Sequence, residues 1–216
     1  MQVALDWLLD RQRLAHRART IRLDTAQHPP ADLAVDHGTV YLAAADADGL
    51  MVSFIQSNYE GFGSGVVIPD TGIAMQNRAA GFTLEPGHPN QVAGSKRPFH
   101  TIIPGFATRA DQPLMAFGVM GGHMQAQGHV QMILRCSGAG QHPQAASDAP
   151  RWHVTPDFKL ALEDGFDPAV VASLEQRGHD ITTAGAYFGG AQLIQKLPHT
   201  YTAGSDHRKD GQAAGF

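Results

Sequence analysis

The sequence predicts a layered α+β fold, and three observations carry that prediction. β-branched and aromatic runs separated by turn residues recur as antiparallel hairpins, the first at 39–57 and the last at 191–203. Two helical segments fall in the middle, after Gly122 and after His142. Strands, central helices and further strands in that order describe helices stacked on an antiparallel sheet, not a βαβ nucleotide fold.

Residues 2–19 predict an amphipathic helix, with Leu5, Leu8 and Leu9 on one face and Arg11, Arg13, Arg17 and Arg19 in its later turns. From Thr25 to Gly38 the chain reads as a loop, broken by His28-Pro29-Pro30. The first hairpin turns at Asp46–Gly49 and leads into the Gly-rich Glu60–Gly65. No Lys-Ser/Thr follows these glycines and no helix opens after them, which excludes a phosphate-binding loop. Short strands are expected at 66–68 and 73–76, then a Pro/Gly/His/Asn-rich loop over 83–98.

A strand at Thr101–Ala107, a turn at Asp111-Gln112-Pro113 and a strand at Leu114–Met120 come next. Gly121-Gly122 and a helix over 126–136 follow them. Strand, Gly-Gly, helix is a geometry in which backbone N–H groups face an anion, and equally one that serves only as a tight turn. A short helix at 143–149 stops at Pro150, a strand spans 158–163, and a helix over 168–177 has Pro168 in its first turn and Gly178 beyond its end. The final hairpin pairs 191–196 with 199–203, and the polar tail 204–211 is expected at the surface.

Composition narrows the function classes. The 216 residues are 43% hydrophobic and 17% charged, enough for one sizeable core. A formal net charge of -4 provides no basic footprint for nucleic acid. No apolar run approaches the roughly 20 residues of a membrane span. Cys136 is the only cysteine, so no internal disulfide forms and the compartment is left open; the missing basic start of a signal peptide favours the cytoplasm over the periplasm. The 12 histidines are scattered without HExxH or paired i, i+4 spacing, so neither a metal nor a cofactor is called for.

The chemistry-bearing candidate is Thr39, which follows Gly38 at the start of the first strand. Cleavage between them would leave Thr39 with both a hydroxyl and a free α-amine, and that amine is a built-in base for the hydroxyl. Threonine also favours strand starts for structural reasons, so the residue alone does not identify a nucleophile.

Several segments, in order and in register, together resemble the γ-glutamyltransferase family of N-terminal-nucleophile hydrolases. They are Thr39–Leu42 to Asp48-Gly49, Phe62–Gly65, Gln76–Phe82, Lys96–Thr101, Gly118–Gly122, Asp148–Arg151, and Gly204-Ser205-Asp206 with Asp210-Gly211. The resemblance implies a proenzyme that cuts itself before the Thr, giving a large and a small subunit in an αββα sandwich. It implies Thr39 as nucleophile, Ser57 as its hydrogen-bonding support, and Gly121 and Gly122 at the oxyanion hole. The substrate would be a small-molecule amide or γ-glutamyl compound.

The sequence departs from glutathione-handling members where they hold the γ-glutamyl α-amino and α-carboxyl groups. Tyr59, Asn77, Arg78, His100 and Thr101 occupy that region here. The usual Asp counter-ion for an α-ammonium is replaced by Gly81, and Arg78 adds a charge suited to a carboxylate. This resembles the divergent, acylase-like branch. By length, the resemblance implies that residues 1–38 are the end of the large subunit with its linker and that 39–216 are the small subunit. The sandwich would then be incomplete without a large-subunit segment as partner, and a non-processed, non-catalytic fragment is the competing expectation.

Overall fold

The structure is a computed structural model that describes residues 10–20, 38–155, 158–182 and 187–216. The chain divides into two units, one ending at Val35 and one beginning at Asp36. In the first, helix α1 (Arg11–Ala18) is capped by Asp10, whose carboxylate accepts from the Arg13 N–H at 2.6 Å. His16 and Arg17 sit in its last turn, where the helix dipole favours cations. Leu5, Leu8 and Leu9 of the predicted helix lie outside the described residues, as do all residues of the predicted loop 25–38 except Gly38.

The second unit opens on the predicted hairpin. Strands β1 (Thr39–Ala45) and β2 (Met51–Ser57) pair antiparallel, with Thr39 opposite Ser57. Asp46 closes the turn by accepting from the Asp48 and Leu50 N–H groups at 3.0 and 2.9 Å. A four-stranded antiparallel sheet runs in the order β3 (Gly105–Arg109), β4 (Gln112–Met120), β8 (Gly190–Lys196), β9 (Tyr201–Ser205). A smaller sheet combines β5 (Trp152–Val154), β6 (Leu160–Leu162) and β7 (Ile181–Thr182).

Strand β4 is the spine, and its two faces explain the layers. Met115, Phe117 and Val119 point to one side and pack with Met132 and Cys136 beneath helix α2 (Met124–Ile133) and its π-turn at Leu134–Gly138. Ala146 of helix α3 (Pro143–Asp148) joins that core. On the other side, Gly118 receives the ring of Tyr41 so closely that an added Cβ would stand 2.4 Å from it. The hairpin β1–β2 therefore lies face to face with the large sheet, opposite the helices. Helix α4 (Pro168–Gln176) is capped by Asp167 and starts at Pro168, as the sequence predicts.

These are three layers, α, β and β, of the expected αββα arrangement. Among the described residues of this unit, no helix covers the outer face of β1–β2. Val40, Leu42, Val52 and Phe54 share that face and are 56%, 46%, 41% and 47% exposed.

The structure corrects the sequence reading at several places. The tail is not all at the surface: Gly204 and Asp206 are buried, and Ser205 belongs to β9. Polarity marked it as exposed, but the partner of Asp206 is Arg151, 55 residues away. The strands expected at 66–68 and 73–76 reduce to a single bridge, Val67 with Ala74. Strand β3 begins at Gly105, because the backbone of Ile103 is bound by helix side chains before the sheet starts. The turn predicted at 111–113 sits at Ala110-Asp111, both at positive φ, and Pro113 lies within β4. Strands β5 and β7, of 3 and 2 residues, are too short to register as a pattern.

Candidate active site

The register of the first hairpin builds the centre of the site. Because Thr39 and Ser57 are directly opposed on one face, Thr39 Oγ1 donates to Ser57 Oγ at 2.9 Å. The same Ser57 oxygen accepts from the Tyr59 N–H at 2.9 Å. Tyr59 has φ of 79°, a left-handed conformation that costs a tyrosine on the order of 1–3 kcal/mol and folds the chain back here. Thr39 is buried, and two residues further along β1 on the same face the Tyr41 hydroxyl bonds Ser53 Oγ at 2.8 Å. Ser53 in turn donates to the Gly105 carbonyl at 2.8 Å, tying the hairpin to the large sheet.

Two cavities flank this centre. One, of about 570 Å³, runs along β1 and is lined by Gly38, Thr39, Met120, Gln192 and Lys209 among others. The other, of about 300 Å³, is lined by Tyr59, Arg78, Gly81, Phe99, Thr101 and His123 among others. Gly121 and Gly122 bridge the two walls by sequence, between Met120 in the first and His123 in the second. Gly121 has φ of 134° and Gly122 of 56°. A Cβ on Gly121 would stand 2.8 Å from the Tyr187 ring, so both backbone shape and space demand glycine there.

Arg78 dominates the smaller cavity. It sits on a 3-10 turn (Arg78–Gly81), and only 6% of it is exposed. Its Nη1 donates to Thr101 Oγ1 at 2.7 Å, and its guanidinium carbon lies 4.9 Å from the centroid of the Tyr59 ring. Nε and Nη2 are buried without an acceptor among the described residues. Burial lowers the guanidinium pKa from its ordinary value, against an opposing pull from Tyr59. The guanidinium stays charged in spite of this burial.

Of the residues singled out from sequence, Thr39, Ser57 and Tyr59 form one hydrogen-bonded chain, and Tyr59, Arg78 and Thr101 line one cavity. Asn77 and His100 do not join that lining. Asn77 clasps Glu60, accepting from its N–H at 3.2 Å and donating to its carboxylate at 2.8 Å, which holds the preceding loop. His100 is exposed, and its Nδ1 accepts from the Ile102 N–H at 3.1 Å. Partial desolvation, then the charges of Arg78 and Arg97, keep its imidazole pKa below the usual value. Sequence reasoning missed Phe99 and His123, whose rings stack at 5.9 Å on the cavity wall. The position of His123 directly after the glycine pair was the available signal. Among the described residues, no group of three His, Cys, Asp or Glu side chains is placed to hold a metal ion.

The whole chain, residues 1–216, matches the family described as Gamma-glutamyltranspeptidase. The chain belongs to the gamma-glutamyltranspeptidase family. Among curated relatives, it is 40% identical over 187 residues to the oxamate amidohydrolase proenzyme of Klebsiella pneumoniae, covering 82% of this chain and 35% of that protein. It is 34% identical over 226 residues to the glutathione hydrolase-like YwrD proenzyme of Bacillus subtilis, covering 99% and 42%. Among solved structures, cephalosporin acylase from Bacillus halodurans superposes with a TM-score of 0.77 at 45% identity, over 99% of this chain and 40% of that one. This gamma-glutamyltranspeptidase-family chain thus spans about two-fifths of the length of these relatives. The resemblance seen in the sequence motifs, to a divergent member of this family, is borne out by these relatives.

Proposed function

We propose that this chain carries the nucleophile of a self-processing amide hydrolase or acyltransferase, with Thr39 as that nucleophile. The observation that carries the reading is the Thr39–Ser57 hydroxyl pair, 2.9 Å apart at the first residue of a strand that follows Gly38. In the unprocessed chain the Thr39 nitrogen is tied up in the peptide bond to Gly38. Cleavage there frees an amine that takes the Oγ1 proton as Oγ1 attacks the substrate carbonyl. The N–H groups of the Gly121–Gly122 turn would stabilise the oxyanion. The C–N bond then breaks, the amine leaves with the proton, and water or a second amine releases the acyl group from Thr39.

The acyl group that fits best carries a carboxylate. Arg78 offers two buried donors to it, and a γ-glutamyl ammonium would meet no counter-ion at Gly81. The relative named for oxamate, a small carboxylate amide, fits that preference. A large-subunit segment, resting on the bare face of β1–β2, would complete the substrate pocket. Intact mass spectrometry tests the reading: a processed piece beginning at Thr39 is expected, and its absence in a completed proenzyme would favour the non-catalytic fragment.

A further inference from the structure

Gln125 makes contacts that the proposed chemistry does not use. It is fully buried in the first turn of α2, and its N–H donates to the Gly122 carbonyl at 3.1 Å. Its side-chain Oε1 accepts from the Ile103 N–H at 3.1 Å. One turn later, His129 Nε2 stands 2.9 Å from the Ile103 carbonyl, so side chains of α2 meet both polar groups of one peptide residue. Two residues before Ile103 is Thr101, itself buried, which accepts from Arg78 Nη1. A single residue therefore links the Gly121–Gly122 turn to the segment that aims Arg78.

The arrangement is costly. Gln125 Nε2 is buried with no partner among the described residues. A half-satisfied buried amide is a poor choice for packing alone, where an apolar side chain of equal volume carries no such penalty. What the amide supplies is directional: it fixes the distance between the oxyanion turn and the guanidinium.

We infer that Gln125 is a positioning residue that sets the spacing between the scissile carbonyl and the carboxylate of the acyl group. This rests on the reading that Arg78 receives that carboxylate. A rigid spacing of this kind selects acyl chains by length and charge, because a misplaced reacting group loses rate even when it binds.

The test compares glutaryl p-nitroanilide with pentanoyl p-nitroanilide, equal in chain length and differing in the carboxylate, on the processed enzyme. Gln125→Met keeps the volume and removes the acceptor; it should lower the glutaryl-to-pentanoyl ratio of kcat/KM by about tenfold and leave pentanoyl turnover within about twofold. Gln125→Glu keeps the acceptor at Ile103 and should retain the ratio. In the Arg78→Met background, Gln125→Met should have little further effect on the ratio. Equal losses on both probes, or additive losses in the double variant, overturn the role of Gln125. An unchanged ratio in Arg78→Met alone overturns the carboxylate reading instead. If Gln125→Met does not fold, hydrogen exchange of the Ile103 amide in the native enzyme decides: saturating glutarate should slow it about tenfold, and no change refutes the link.

Discussion

Arg151 and Asp206 form an ion pair with no solvent exposure on either side chain. Arg151 also donates to the carbonyls of Phe188 and Ser147, at 2.9 and 3.1 Å, and Asp206 accepts from the Ala191 N–H at 2.7 Å. The pair thus anchors the entry of β8, beside the Tyr187 ring that covers Gly121. Burial alone would raise the Asp206 carboxyl pKa. Arg151 and the N–H groups of Ala191 and Arg208 outweigh it and hold the carboxyl below its ordinary range.

Asp206 also pairs with Arg208 Nη1 at 3.1 Å, so removing its charge strips the fully buried Arg151 of its carboxylate partner and leaves it with carbonyl acceptors. Asp206→Asn is expected to cost about 3–5 kcal/mol and lower the melting temperature by roughly 10 °C. Because the folded pKa is depressed, this stabilisation is present above the ordinary carboxylate range and is lost as pH falls through the folded value. Thermal melts at acidic and neutral pH should show the wild type converging on the variant only in acid.

Tyr41 titrates in the opposite sense. Burial pushes its hydroxyl up to about 12, against a smaller lowering by the Ser53 hydrogen bond. The unfolded chain loses this proton near pH 10 while the folded chain holds it, so stability falls between about pH 10 and 12. Two pH units correspond to at most about 2.7 kcal/mol. Denaturant melts across this range should decline in the wild type and decline less in Tyr41→Phe.

The Thr39–Ser57 pair makes a graded prediction. Thr39→Ala should abolish both cleavage before residue 39 and amide hydrolysis, and Thr39→Ser should retain part of each. Ser57→Ala removes the acceptor of both Thr39 Oγ1 and the Tyr59 N–H; losing the bond to Thr39, about 1 kcal/mol net, should slow both reactions by up to roughly tenfold. Mass spectra and anilide turnover measured on the same samples check this; hydrolysis surviving in Thr39→Ala would exclude it as the nucleophile.

The outer face of β1–β2 predicts association. Val40, Leu42, Val52 and Phe54 form a contiguous apolar surface that favours aggregation or self-association of this chain alone. Co-expression with a large-subunit segment of a relative should raise solubility and amide hydrolysis together. Size-exclusion chromatography and turnover should report both, and a monomeric chain that is fully active by itself would refute it.

Much of this protein was legible in the order of its residues. The β-branched and apolar runs and the Asp/Gly turn mark the first hairpin; the register that opposes Thr39 and Ser57 is seen in the structure. Pro168 and Gly178 bracket α4 through backbone constraints that act within a few residues. Family motifs marked Thr39, Arg78 and the glycine pair. Tertiary structure alone decided which of the marked residues meet. Asn77 and Arg78 are neighbours in the chain, yet one turns to Glu60 and the other into the cavity with Thr101. Asp206 looked solvated until Arg151 arrived from 55 residues away, and Gln125 acquired a role only when Ile103 was packed beside it. The physical reason is the same in each case. Backbone preferences are local and are written in neighbouring residues, whereas the partner of a buried polar group comes from a distant part of the chain and is supplied by the fold.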